Sequence, residues 1–349
     1  MSGRGLRSLV AAATVAIVVA ACGTTTARPT SVKPTVPAPS PSPAAVGFSV
    51  SGCASTGRLV TSAAELDQAL ASAAPGMTIL LAPGTYTGHF VAKTSGTSSD
   101  PISLCGARES VLDGGSTKTG YTMYLDGASW WRLVGFTVKG GQKAVVTDHV
   151  DHDLISGLYV HDIGDEGVHL RSFSTDNVVE GVTVRNTGLD TAKFGEGIYV
   201  GTANKNWCKY TSCEPDASDR NVIRNNDISN TTAENIDIKE GTTAGVISGN
   251  KLSGDGMVAS AATAWVNVKG NGWTISENTG QRSLKDGFQV HRVYAGWGKG
   301  NVFRLNQAAV DGPGYGFYIQ SASLLTILAC DNTVIGAALG LSNTHCTGA

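Results

Sequence analysis

Six heptapeptides in this chain repeat one pattern of apolar and polar positions. They are Glu166-Gly-Val-His-Leu-Arg-Ser172, Glu196-Gly-Ile-Tyr-Val-Gly-Thr202, Glu234-Asn-Ile-Asp-Ile-Lys-Glu240, Ala264-Trp-Val-Asn-Val-Lys-Gly270, Asp286-Gly-Phe-Gln-Val-His-Arg292 and Tyr315-Gly-Phe-Tyr-Ile-Gln-Ser321. The third and fifth places are always apolar, and the fourth and sixth are mostly polar. Alternation with period two predicts strands with one buried and one wet face. Successive segments begin 22 to 38 residues apart, the spacing of a solenoid that adds one coil per repeat. The pattern predicts an all-β fold, a parallel β-helix, with Val168, Ile198, Ile236, Val266 and Phe288 stacked in one interior row.

A second repeat supports the coils. Ile223-Arg-Asn-Asn226, Ile247-Ser-Gly-Asn250, Ile275-Ser-Glu-Asn278 and Phe303-Arg-Leu-Asn306 place an Asn three residues after a core position. Asn tolerates left-handed turns and can hydrogen-bond its stacked neighbours, so a structural ladder is expected. Ser62-Ala-Ala-Glu65 reads as a capping box that opens a short helix, with Leu66, Ala69, Leu70 and Ala73 on its apolar face. Such a helix would cover the open end of a solenoid. The insertion Thr202–Asp219 interrupts the coils beside the outer face and reads as a binding wall.

The N-terminal sequence reads as targeting rather than fold. Arg4 and Arg7 precede an apolar run from Leu9 to Ala21, too short to span a bilayer stably. The run ends in Val19-Ala20-Ala21-Cys22, which resembles the bacterial lipobox and implies lipidation of Cys22. The chain then divides into a signal peptide (1–21), a Pro/Thr/Ser-rich tether (22–46) and one β-helix domain (47–349). The expected location is outside the cytoplasmic membrane of a bacterium, held by lipid. With Cys22 assigned to lipid, six of the seven cysteines remain to pair in an oxidising compartment. Cys208–Cys213 and Cys330–Cys346 are the local pairs, which leaves Cys53–Cys105. A net charge of −2 argues against a nucleic-acid partner, and the expected state is a monomer.

Pro75-Gly76-Met77-Thr78-Ile79, Pro83-Gly84-Thr85-Tyr86, Ser95-Gly96-Thr97 and Pro101-Ile102 resemble the opening of right-handed parallel β-helix proteins of the pectate-lyase-like superfamily. The resemblance is greatest to the group of chondroitinase B and alginate lyases. It implies a single-stranded right-handed β-helix and leaves the activity open, because lyases, hydrolases, epimerases and adhesins share the scaffold.

Stacking the heptads places two outer columns side by side. One is His169, Tyr199, Asp237, Asn267, Gln289 and Tyr318; the other is Arg171, Gly201, Lys239, Lys269, His291 and Gln320. With strands about 4.8 Å apart, Lys239, Lys269 and His291 fall within roughly 10 Å. A surface kept merely soluble would need only Ser, Thr and Asn, so this density of charge points to a site. β-Elimination on a uronic-acid polysaccharide requires neutralising the carboxylate, removing the C5 proton and protonating the leaving oxygen. Lys239, with its pKa lowered by Lys269 and His291, is the candidate base. Tyr199 or His291 is the candidate acid, and Arg171, Lys269 and Arg292 could hold the carboxylate. His169, Asn267, Gln289 and Trp207 are the further candidates for substrate contact.

The lyase group carries a Glu, four intervening residues and a catalytic Lys on one coil, with an Arg on the next. Glu234-Asn-Ile-Asp-Ile-Lys239 followed by Lys269 is similar, which implies Lys239 as base and Lys269 in place of the arginine. The group's Lys-Ser is Lys239-Glu240 here, its Arg-His-Gly is Lys269-Gly270-Asn271, and its extra acidic calcium ligand is Thr232. Glu196, Glu234 and Asp237 could still supply hard oxygen ligands to Ca2+. Two other readings compete. A glycoside hydrolase would use Asp237 with Glu240 or Glu196. A non-catalytic glycan binder would use Trp207, Trp265, Trp273 and Trp297 as sugar platforms.

Overall fold

The computed structural model describes residues 52–348. The lipobox, Cys22 and the tether lie outside the described residues. Three parallel sheets of 11, 10 and 9 strands form the walls of a β-helix, each coil giving one strand in turn to each sheet. Strands of two to six residues suffice because their backbone groups pair with the coils above and below.

The nine-stranded sheet carries the heptads, in the register that the alternation requires. Val168 pairs with Ile198, Ile198 with Ile236, Ile236 with Val266 and Val266 with Phe288. All five are fully buried in one interior row. The glycine in the second place is fixed by packing: a Cβ on Gly197 would lie 2.5 Å from Ile228 and 2.7 Å from the Asn235 carbonyl oxygen. Two of the coils fill this place instead, with the fully buried side chains of Asn235 and Trp265.

The Asn ladder forms and is longer than the sequence repeat indicated. The side-chain oxygens of Asn250, Asn278, Asn306 and Asn332 each accept from the backbone N–H of the ladder Asn one coil earlier, at 2.9–3.1 Å. Each of these bonds satisfies a buried donor at a turn where no strand can reach it. The helix Ala63–Ala71 packs Leu66, Ala69 and Leu70 into the end of the core. Ser62 caps the Glu65 N–H, while Glu65 returns to the N–H of Thr61 rather than to that of Ser62. All three expected disulfides, Cys53–Cys105, Cys208–Cys213 and Cys330–Cys346, are formed. Among the described residues no helix is long and apolar enough to cross a membrane.

Candidate active site

The outer row of the heptad sheet is in register as expected, His169 beside Tyr199, Asp237, Asn267, Gln289 and Tyr318 in turn. It is not wet. His169, Asp237, Asn267, Gln289 and Lys269 are all buried, as are the leading-edge acids Glu166, Glu196, Glu234 and Asp286. Much of the face is covered, and a cleft of about 580 Å³ opens over part of it.

The cleft lies over His169, Arg171, Tyr199 and Lys239, and extends back to Tyr121 and Lys143 on earlier coils. The insertion after Thr202 forms one wall, presenting Lys205, Asn206, Lys209 and Tyr210; Lys193 and Phe194 stand at the rim. Two buried carboxylates anchor the wall. Asp216 accepts from the backbone N–H groups of Ser172 and Phe173, and Glu240 from that of Asn204 at 2.7 Å. Trp207 lies beneath the wall with its indole N–H on the Thr202 carbonyl oxygen. It holds the wall up and is not a sugar platform. Trp265 and Trp273 are fully buried in the core.

Lys239 differs from expectation in its charge environment. Its Nζ is 2.6 Å from Asp237 Oδ2 and 4.9 Å from the centroid of the Tyr199 ring. Burial by itself would lower the lysine pKa, but Asp237, Tyr199 and Glu196 outweigh it and hold the ammonium form well above the usual range. The predicted lowering by neighbouring cations is reversed, because Asp237 sits between them. Lys269 binds the other Asp237 oxygen. Burial opposes ionisation of Asp237, and the two lysines overcome it, so its pKa is lowered.

Tyr199 stands between His169 and Lys239. Among the described residues its hydroxyl has no protein hydrogen-bond partner, and burial holds its pKa well above the usual value against the opposing pull of Lys239. His169 packs edge-on against the Tyr199 ring, with centroids 4.3 Å apart. One ring nitrogen lies 3.0 Å from the Gly201 carbonyl oxygen and the other 3.2 Å from Lys143 Nζ. That assigns N–H to Nε2 and a lone pair to Nδ1. Burial, then Lys143 and Arg171, keep the imidazole neutral.

The other predicted residues are placed elsewhere or already committed. Arg171 lines the cleft, but its Nε and Nη2 hold Asp148 at 2.7 and 2.9 Å. Its charge is largely spent before a substrate arrives. His291 pairs with Asn267 at 2.9 Å, Asn267 with Glu234, and Gln289 with Asp286. These residues and Lys269 are outside the cleft lining. Arg292 is exposed beyond the strand end. Sequence reasoning missed Tyr121, Lys143, Asp165 and Tyr210. Two of them belong to strands that lack the heptad pattern, and continuing the pairing register back to Lys143–Asp148 would have found Lys143.

Glu196, Glu234 and Asp237 bring carboxylate oxygens within 4.8 Å of one another. Both oxygens of Asp237 are occupied by ammonium groups, and one of Glu234 by Asn267. The lysines already supply the positive charge that calcium would bring, so this donor set does not fit a resident calcium ion. The same contacts bear on the hydrolase pairing of Asp237 with Glu240 or Glu196. Asp237 is held ionised and cannot be a general acid at neutral pH, and one oxygen of Glu240 is taken by the wall. Glu196, whose carboxyl burial pushes well up, lines the cleft and is the acid such a pairing would use.

The sequence matches no family model and no curated protein. Among solved structures it is similar to an alginate lyase from Paenibacillus sp. str. FPU-7, with 36% identity, coverage of 83% of this chain and 99% of that one, and a TM-score of 0.76. The pectate lyase Pel9A aligns over 80% of this chain and 72% of its own at 15% identity and a TM-score of 0.57. A periplasmic alginate epimerase aligns over 75% and 61% at 10% identity and a TM-score of 0.55. The last two share the fold alone. The first is related along nearly its whole length, so this chain belongs to the same family of β-helical polysaccharide lyases.

Proposed function

We propose that the protein cleaves a uronic-acid polysaccharide, with alginate the first substrate to test, by β-elimination at Tyr199. The supporting observation is the pairing of an unpartnered, cleft-facing phenol with an ammonium group held in place by Asp237. Lys239 pairs with the substrate carboxylate and acidifies the C5 proton. Its charge also stabilises the Tyr199 phenolate, which removes that proton. The C4–O bond breaks as the C4–C5 double bond forms, and the Tyr199 phenol returns the proton to the departing oxygen. A single proton carrier requires the C5 hydrogen and the C4 oxygen on one face of the ring. His169, with both nitrogens engaged, orients the Tyr199 ring.

The rim favours a polyanion. Lys193, Lys205 and Lys209 line the entrance and would draw in a uronate chain. We further propose that the protein is exported and lipidated at Cys22. The lipobox and three disulfides support this reading. Loss of membrane association in Cys22→Ala, with loss of the lipid mass, is the test.

The functional test is a screen of residues 47–349 against uronate and neutral polysaccharides. Ultraviolet absorbance of unsaturated products should appear only with uronates and persist with a chelator present. New reducing ends without that absorbance would replace the lyase reading with hydrolysis.

A further inference from the structure

Beside Tyr199 the cleft carries a feature that the elimination does not use. Gln142 and Lys143 are consecutive on one coil, Asp165 and Glu166 are consecutive on the next, and the two pairs meet. Gln142 Nε2 donates to Asp165 Oδ2 at 2.9 Å, and Lys143 Nζ donates to Glu166 Oε1 at 2.8 Å. Each carboxylate thus has one oxygen fixed. The other oxygens, Asp165 Oδ1 and Glu166 Oε2, are buried without a hydrogen-bond partner. Both residues line the cleft, with only 3% and 5% of their surface exposed.

Buried acceptors without donors are rare in folded proteins and mark places where something else supplies the donor. Here two orphan acceptors sit on consecutive residues of a saccharide-sized cleft, and the second contact of each side chain stops it from turning away. The matching ligand offers two adjacent O–H donors. We propose that Asp165 and Glu166 form a subsite that accepts hydrogen bonds from a vicinal diol of the bound sugar chain. This rests on the lyase reading and names the part of the substrate read beside the reacting carbon. Burial, and then the charge of Glu166, push the Asp165 carboxyl up to about 6, in keeping with an oxygen that lacks a donor.

The test uses a uronate hexasaccharide and its ring O-methyl ether, which keeps every carboxylate and oxygen but removes the O–H donors. We expect wild-type kcat/KM to fall about 100-fold on the ether, as for sites built to bind a substrate hydroxyl. Asp165→Asn can still accept from Gln142 while turning an amide N–H toward the cleft, where an ether oxygen can accept it. The preference for the free diol should therefore shrink at least tenfold in Asp165→Asn. Glu166→Gln, read in the same way, serves if that variant does not fold. Dissociation constants for both sugars, measured in Tyr199→Phe, provide a readout independent of turnover. Equal use of the two sugars by wild type, or a preference unchanged in both variants, overturns the subsite. Absence of unsaturated product from every uronate overturns the lyase reading instead, and the ratio of dissociation constants still decides the diol.

Discussion

The two ends of one sheet face share a register and a sequence pattern but differ in what their polar side chains have left to do. Toward the C-terminus, Asn267 joins Glu234 to His291, and Gln289 joins Asp286 to Thr263. Burial, then Lys269, hold His291 neutral, and the contacts close on themselves. Toward the N-terminus, the wall after Thr202 stands off the sheet and Tyr199, Asp165 and Glu166 retain unmet bonding capacity. Polar residues of the same types are structure at one end and a site at the other. A satisfied buried polar group stabilises geometry, whereas an unsatisfied one costs free energy that a ligand can recover.

The sharpest way to break this comparison is Tyr199→Phe. It should lower kcat/KM by about 10³-fold or more, on the scale of losing a transition-state proton transfer. The melting temperature should stay within a few degrees, since the hydroxyl has no partner to lose. In wild type, the raised Tyr199 pKa means phenolate accumulates only as pH climbs, so kcat/KM should rise through the alkaline range. A profile flat above neutrality would remove Tyr199 as the base.

Asp237→Asn comes next, because Asp237 lies beneath both ends. It leaves two buried ammonium groups sharing one amide oxygen, and about 3–5 kcal/mol of stability should be lost at neutral pH. The folded-state pKa of Asp237 is depressed, so its contribution is complete above the ordinary carboxylate range. It disappears as pH falls through the lowered value. Denaturant titrations should show a constant gap between wild type and variant from neutral pH down to about 5, closing below about 4.

Asn278→Ala tests a region that is purely structural. Asn278 accepts from the backbone and side chain of Asn250 and donates to the Ile247 carbonyl and to Asn306. Removing it strands buried groups and should cost about 3 kcal/mol in urea unfolding. Activity per folded molecule should not change. The smallest effect is expected from His291→Ala at the closed end, less than threefold on kcat/KM. A loss comparable to that of Tyr199→Phe would move the chemistry three coils along.

Much of the fold was legible because it repeats. Val168 to Phe288 and Asn226 to Asn306 recur at coil spacing, and each repeat reinforces the others. Tyr199 and Lys239 could be named from their column alone. Their protonation states could not, since the sequence shows Lys239 near other cations and does not show that Asp237 points between them. The cleft boundaries were equally hidden. Tyr210 arrives on an insertion, and Lys143 on a strand whose apolar run gives no heptad signal.

Period-two alternation, repeat spacing and cysteine count by themselves determined the β-helix, its interior rows and its three disulfides. Each of these depends on spacing along the chain, which a sequence displays directly. The tertiary structure decided which part of the outer face stays open, which charges cancel and which oxygens remain unpaired. Those outcomes depend on loops covering a sheet and on distances of a few ångströms between coils, where burial and neighbouring charges together set the state of each group.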